Sequence, residues 1–151
     1  MSSRLFQEVR EKKGLVYSIY SYNSLYSETG LFAIYAGTRP SKTEQVIKLI
    51  KREINRIIGD GITSDELHRS KNHIKGELVL GLESTSHRMS RLGKAELSDG
   101  ELLSLDELVE RIDGVTVEDV NRIAREIFIP QKMVLAVIGP FKTEELAHLV
   151  P

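Results

Sequence analysis

The sequence contains no cysteine, and aromatic residues make up only 6% of its 151 residues. The lack of cysteine excludes disulfides, thiolate catalysis and zinc sites built from cysteine. It also fits a reducing compartment, so we expect a cytoplasmic protein. The chain has no apolar run near the roughly 20 residues that span a bilayer. With 21 Lys and Arg against 22 Asp and Glu, it offers no charge excess for nucleic acid or an anionic membrane surface. We therefore expect neither partner.

Metal ligands at the spacing of a helical zinc site are also missing. Such a site needs two histidines four residues apart, so that both rings share one helix face. No pair among the histidines has this spacing, and His73 with Glu77, or Glu83 with His87, supplies two ligands only. We expect no metal in this chain. The histidines are His68, His73, His87 and His148.

Nucleophile and phosphate motifs are absent as well. The sequence has no Gly-x-Ser-x-Gly elbow, and its dispersed glycines match no phosphate-binding loop. Many serines stand where helices need caps, at Ser41, Ser64 and Ser104. The chain therefore lacks the parts of a complete hydrolytic site.

The pattern of residues that is present predicts an α+β fold. Residues 15–26 are rich in Tyr, Ser, Val and Ile, which suit a strand, and 27–30 carry turn chemistry. The continuous apolar runs at 31–36 and 133–138 predict strands covered on both faces, the first paired antiparallel with 15–26. We expect one domain over 1–151, with a small, mainly antiparallel sheet of about three strands and helices packed on one face.

Helices are predicted where a capping residue precedes an apolar stripe. In a capping box, a Ser or Thr and an acidic residue three positions later satisfy each other's free backbone N–H groups. The first helix carries the longest stripe, formed by Val46, Ile47, Ile50, Ile54, Ile57 and Ile58. The four predicted boxes are Ser41 with Glu44, Thr63 with Glu66, Ser104 with Glu107, and Thr116 with Asp119.

Arg10 and Tyr17 are the candidate functional residues. Residues 3–22 predict a short amphipathic helix with Leu5, Phe6 and Val9 on one face, a stop at Gly14, and a strand that begins at once. Arg10 at the border of that face and Tyr17 in the strand are expected to approach each other. An arginine fork grips carbonyl or carboxylate oxygens, and a tyrosine hydroxyl stabilises charge developing on a carbonyl. The alternative is a surface arginine paired with Glu11 or Glu28 and a tyrosine that packs in a strand.

The stretch SSRLFQEVREKKGLVYSIYSY, followed by TGLFAIYAGT, resembles the second-half motif of the pitrilysin/insulinase-type zinc peptidases, in the branch of mitochondrial processing peptidase and its bacterial relatives. The later segments GVTVEDV and MVLAVIGP also fit. This resemblance implies a two-domain zinc endopeptidase whose N-terminal domain holds the zinc in a His-x-x-Glu-His motif. It implies that the C-terminal domain supplies Arg10 and Tyr17, which contact the peptide substrate.

This sequence contains no His-x-x-Glu-His. We therefore expect most of the C-terminal domain of such a peptidase, truncated at its N-terminal side and inactive alone, with zinc bound only in the full-length protein. The expected partners are a peptide substrate, the N-terminal zinc domain and, through an open sheet edge, a second copy. The alternatives are a non-catalytic binding or structural subunit of a processing-peptidase-like complex, and a free-standing interaction module.

Overall fold

The computed structural model describes residues 3–26, 28–99 and 101–149. The chain divides into two compact units. The first contains residues 1–25, 29–60 and 122–151, and the second contains 26–28 and 61–121. The first unit holds both candidate residues. The described helices are α1 (Thr43–Asp60), α2 (Ser64–Gly81), α3 (Thr85–Lys94), α4 (Leu105–Gly114), α5 (Val117–Ile127) and α6 (Thr143–Leu146), with π-helices at Phe6–Glu11 and Ala95–Asp99 and 3-10 turns at Pro40–Lys42, Pro130–Lys132 and Ala147–Leu149.

The sheet is an antiparallel hairpin of β1 (Val16–Leu25) and β2 (Gly30–Thr38). Both strands and their pairing confirm the prediction. The register runs without interruption from Ser18 opposite Gly37 to Leu25 opposite Gly30. Part of the predicted turn, Ser27, lies outside the described residues, as do Met1 and the first residue of the motif, Ser2.

One face of the hairpin is buried against α1. Val9 of the first π-helix, which is 0% exposed, joins Val16 and Ile19 of β1 with Val46 and Leu49 of α1 in one cluster. Burying a valine side chain fully stabilises the fold by roughly 1.5–3 kcal/mol. The helix and the hairpin of the candidate motif are therefore fixed by the same core.

The opposite face of the hairpin carries exposed tyrosines. Tyr20 and Tyr35 stack with ring centroids 5.0 Å apart, and Tyr22 lies 6.1 Å from Tyr20. All three rings are about half-exposed. The sequence predicted helices packed on one face of the sheet, and the hairpin has this arrangement. The prediction that β2 is covered on both faces is wrong, because Tyr35 and Leu31 point away from the core.

The predicted strand at 133–138 is also wrong. This segment forms no strand, and the sheet of the described residues contains β1 and β2 alone. Val134 is 92% exposed and Ile138 is fully exposed. An apolar run indicates suitability for burial, but a strand forms only where a sheet edge supplies backbone partners.

Three of the four predicted capping boxes are present, all in the second unit. The hydroxyls of Thr63, Ser104 and Thr116 accept from the backbone N–H three residues later, and the acidic side chain there accepts from the N–H of the capping residue. The box predicted at Ser41 is wrong. Ser41 lies inside the 3-10 turn before α1, and Glu44 pairs with Lys48 at 2.6 Å.

No helix of the described residues is both long enough and apolar enough to cross a membrane. α1 ends at Asp60, as predicted, and Gly61 follows with a φ of 75°. This left-handed conformation strongly favours glycine, which lacks a Cβ.

Candidate functional site

Arg10 lies near the end of a π-helix rather than an ordinary α-helix. The N–H of Lys12 donates to the carbonyl oxygen of Gln7, five residues earlier. Wider turns of this kind are rare and are frequently found at functional sites. The Arg10 guanidinium carbon lies 4.9 Å from the centroid of the Phe6 ring. This contact supports the guanidinium from one side while the residue remains exposed.

Gly14 turns the chain from this helix into β1. Its φ is 60°, and its N–H donates to the carbonyl oxygen of Arg10 at 2.9 Å. The next N–H, of Leu15, donates to the carbonyl oxygen of Val9 at 3.2 Å. The predicted stop at Gly14 is confirmed, and the helix end is bonded directly to the start of the strand.

Tyr17 is the extra residue of a β-bulge. Val16 lies opposite Thr38 and Ser18 lies opposite Gly37, so Tyr17 has no partner of its own in β2. A bulge of this kind redirects the side chain of the inserted residue and strengthens the local twist. The Tyr17 side chain is turned away from the core and is 66% exposed.

The Tyr17 hydroxyl is bound by Arg39, which follows the last residue of β2. The Nε–H of Arg39 donates to the Tyr17 oxygen at 3.1 Å. This hydrogen bond raises the pKa of Arg39, because it favours the charged donor. Arg39 is not among the residues predicted from the sequence. Its only signal is a basic residue at the end of an apolar strand pattern, directly before Pro40.

Arg10 and Tyr17 do not hydrogen-bond to each other in the described part of the chain. The Arg10 side chain contacts the Phe6 ring, and the Tyr17 hydroxyl contacts the Arg39 guanidinium. The two residues are linked through the backbone bonds at Gly14 instead. Both tips are exposed, and together they present a fork of cationic N–H donors and one neutral O–H donor.

A charged cluster on α1 lies beside the same π-helix. Glu53 is 1% exposed and is paired with Arg52 at 3.2 Å and with Arg56 at 3.1 Å. The pKa of Glu8 in the π-helix is lowered mainly by its hydrogen bond from Lys12, with smaller contributions from Arg56 and Arg52. Glu53 is not among the residues predicted from the sequence, although it falls on the helical stripe of α1, seven residues after Val46.

Comparison with known proteins places this motif in a family. Residues 1–74 match the family model described as the peptidase M16 inactive domain. The crystal structure of a peptidase M16 inactive domain from Pseudomonas fluorescens superposes with a TM-score of 0.74 and 28% identity, over 84% of this chain and 30% of that one. The chain belongs to the peptidase M16 family.

Relatives of this M16 chain are longer proteins. A Streptomyces coelicolor protein named as an uncharacterized zinc protease is 46% identical over 99% of this chain and 32% of its own length. A chain of Complex III2 from Candida albicans is 25% identical, with a TM-score of 0.73, over 83% of this chain and 30% of that chain. The M16 chain spans about a third of the length of the curated relatives it matches.

The described residues of the M16 chain do not fit a zinc ion. They contain no cluster of three or more His, Asp or Glu side chains that could hold a metal. His73 approaches Glu77 at 3.4 Å, and His148 approaches Glu44 at 3.6 Å, each as an isolated pair. Zinc sites in proteins use three or four protein ligands. No step of the site's chemistry is therefore assigned to a metal in this chain.

Proposed function

We propose that this chain is the C-terminal substrate-binding domain of a zinc-dependent endopeptidase. In this proposal Arg10 and Tyr17 bind the backbone of an extended peptide. The zinc is held by the N-terminal domain of the same protein, outside this chain. The chain alone hydrolyses nothing, because neither Arg10 nor Tyr17 supplies a nucleophile.

The observation that carries the proposal is the placement of the two side chains on either side of Gly14. The Arg10 tip leaves the π-helix exposed, and the Tyr17 tip leaves the bulge exposed. The hydrogen bond from the Gly14 N–H to the Arg10 carbonyl oxygen closes the turn between the two residues, so both side chains leave the backbone on either side of one hydrogen-bonded turn. Preorganised donors of this kind stabilise a peptide carbonyl better than flexible ones.

The two donors suit different parts of a peptide. The Arg10 guanidinium is always charged and offers several N–H groups, which suits one or two oxygens of a peptide backbone or a carboxylate. The Tyr17 hydroxyl donates one hydrogen bond to a carbonyl oxygen and strengthens it as negative charge develops there. Membership of the M16 family supports this assignment, as do relatives named as zinc proteases.

The test of the proposal is peptide turnover by the full-length protein. We expect Arg10→Ala and Tyr17→Phe each to lower kcat/KM by about tenfold or more, the loss typical of one donor to a reacting oxygen. Zinc content should be unchanged in both variants. Glu11→Ala, a substitution of an exposed residue beside Arg10, serves as the matched control. Wild-type turnover in both variants would contradict the role of the pair.

A second candidate is a non-catalytic binding or structural subunit of a heteromeric complex. It is favoured by the likeness to a chain of Complex III2, a multi-subunit assembly by its name. The two candidates differ in one observable. The full-length protein with bound zinc cleaves peptides if the first is right, and binds them without cleavage if the second is right.

Further partners and the location complete the proposal. A second copy of the chain could pair along an edge of the hairpin, whose outer strand edges have no partner among the described residues. We propose a cytoplasmic location, with no nucleic acid and no membrane as partner. A concentration-independent monomer in sedimentation experiments would contradict the pairing of copies.

A further inference from the structure

Arg39 is held in place by the turn that follows β2. Its backbone is extended, with φ of −75° and ψ of 146°, the conformation expected before a proline. Its carbonyl oxygen accepts from the N–H of Lys42 at 2.9 Å and from the hydroxyl of Thr43 at 3.4 Å. These hydrogen bonds fix the backbone from which the Arg39 side chain extends.

Tyr17, at the β-bulge, places its hydroxyl oxygen beside the Arg39 guanidinium. Thr38, directly before Arg39, pairs with Val16, and its hydroxyl donates to the carbonyl oxygen of Leu15 at 2.5 Å. Because the strands are antiparallel, Arg39 continues past Val16 toward Leu15, and Arg39 and Tyr17 lie diagonally across the Val16–Thr38 pair. The result is the hydrogen bond of 3.1 Å between Arg39 Nε and the Tyr17 oxygen.

This hydrogen bond has a defined direction. A guanidinium donates and has no acceptor atom, so the Tyr17 oxygen must be the acceptor. The single O–H of the phenol remains for another acceptor, and a cationic donor on the oxygen polarises that O–H further. The bond therefore aims the Tyr17 hydrogen away from Arg39 and strengthens it as a donor.

We propose that Arg39 is a positioning residue that holds the Tyr17 hydroxyl so that its O–H points at a carbonyl oxygen of a bound peptide. The inference rests on the proposed function, since it assigns Arg39 a role through Tyr17. Arg39 acts on the substrate only through the tyrosine oxygen. Its own exposed side chain makes it tolerant of substitution, so its variants should fold.

The experiment is a double-mutant cycle on peptide turnover by the full-length protein, with Arg39→Ala, Tyr17→Phe and the double variant. We expect Arg39→Ala to lower kcat by about tenfold, the worth of one charged hydrogen bond, with KM nearly unchanged. In the Tyr17→Phe background, Arg39→Ala should cause no further loss, because phenylalanine has no oxygen to receive the bond. Arg39→Lys, which keeps a cationic donor, should retain more turnover than Arg39→Ala.

The controls separate failure of the inference from failure of the proposed function. Lys42→Ala removes another exposed cation three residues away and should leave kcat unchanged. Losses that multiply in the double variant would show that Arg39 acts on its own and overturn the inference. Full turnover of Arg39→Ala beside an impaired Tyr17→Phe would also overturn it. Full turnover of Tyr17→Phe would overturn the proposed function of the tyrosine itself, and the inference with it.

Discussion

The N–H of Gly14 donates a hydrogen bond of 2.9 Å to the carbonyl oxygen of Arg10, at the point where the π-helix ends and the chain turns into β1. Gly14 reaches this geometry with a φ of 60°. The helix that carries Arg10 and the strand that carries Tyr17 are thereby coupled through the four residues between Glu11 and Val16. The proposed substrate binding by Arg10 and Tyr17 depends on this coupling.

Gly14→Ala should destabilise the chain by about 1–2 kcal/mol, the cost of a left-handed conformation for a residue with a Cβ. A Cβ at Gly14 would meet no atom within 4 Å, so the cost comes from the backbone alone. Urea unfolding measures it. Gly59→Ala is the matched control, since Gly59 lies in α1 with open space around it. That substitution should raise stability by roughly 0.5–1 kcal/mol, and equal effects of both variants would contradict the account.

Gly61→Ala should be more harmful than Gly14→Ala. Gly61 also has a positive φ, of 75°, and a Cβ there would lie 2.6 Å from Nδ2 of Asn121. Asn121 cannot move freely, because its Oδ1 accepts from the N–H of Ile62 at 3.0 Å. We expect a loss of about 2–4 kcal/mol in urea unfolding, from strain and steric conflict together. In an Asn121→Ala background the loss should fall toward that of Gly14→Ala.

Glu53→Ala should cost about 2–3 kcal/mol of unfolding free energy. The carboxylate is buried, and its removal leaves Arg52 and Arg56 close together without a counter-charge. Arg52→Ala and Arg56→Ala should each cost less, because the remaining arginine still pairs with Glu53. Urea unfolding of the three variants orders the effects. A Glu53→Ala variant as stable as wild type would show that the cluster is dispensable.

Glu107 should titrate below the usual range for a glutamate. Its carboxylate accepts from the hydroxyl and the N–H of Ser104, and these bonds lower its pKa in the folded chain. A lowered folded-state pKa contributes stability that is present above the unfolded pKa of about 4.3 and lost as pH falls through the folded value. NMR titration should show the Glu107 pKa return toward normal in Ser104→Ala. An unchanged pKa in that variant would contradict the assigned cause.

The local structure of the site follows from residue types. The apolar face of Leu5, Phe6 and Val9, the stop at Gly14 and the strand beyond it are all readable from the sequence, because each depends on neighbours within a few positions. The capping boxes at Thr63 and Ser104 are predictable for the same reason. The helix, the stop and the strand place Arg10 near the end of a helix and Tyr17 near the start of a strand.

The side-chain contacts of the site join residues that are distant in the sequence, so they could not be predicted from local patterns. Arg39 meets Tyr17 diagonally across the Val16–Thr38 pair, beside the bulge between Val16 and Ser18, and no local sequence pattern predicts that pairing. Glu53 is buried because two arginines neutralise it, although glutamate rarely occupies such a position. The segment 133–138 has the composition of a strand but pairs with neither β1 nor β2 among the described residues.

The most direct test of the central claim is peptide cleavage, with zinc present, by this chain alone and mixed with the separately produced remainder of the full-length protein. A peptidase site shared between the two parts predicts no cleavage by the chain alone, cleavage by the mixture, and loss of that cleavage by about tenfold or more when the chain carries Arg10→Ala. Cleavage by the isolated chain would contradict it. So would a mixture whose two parts associate and bind zinc without cleaving any peptide.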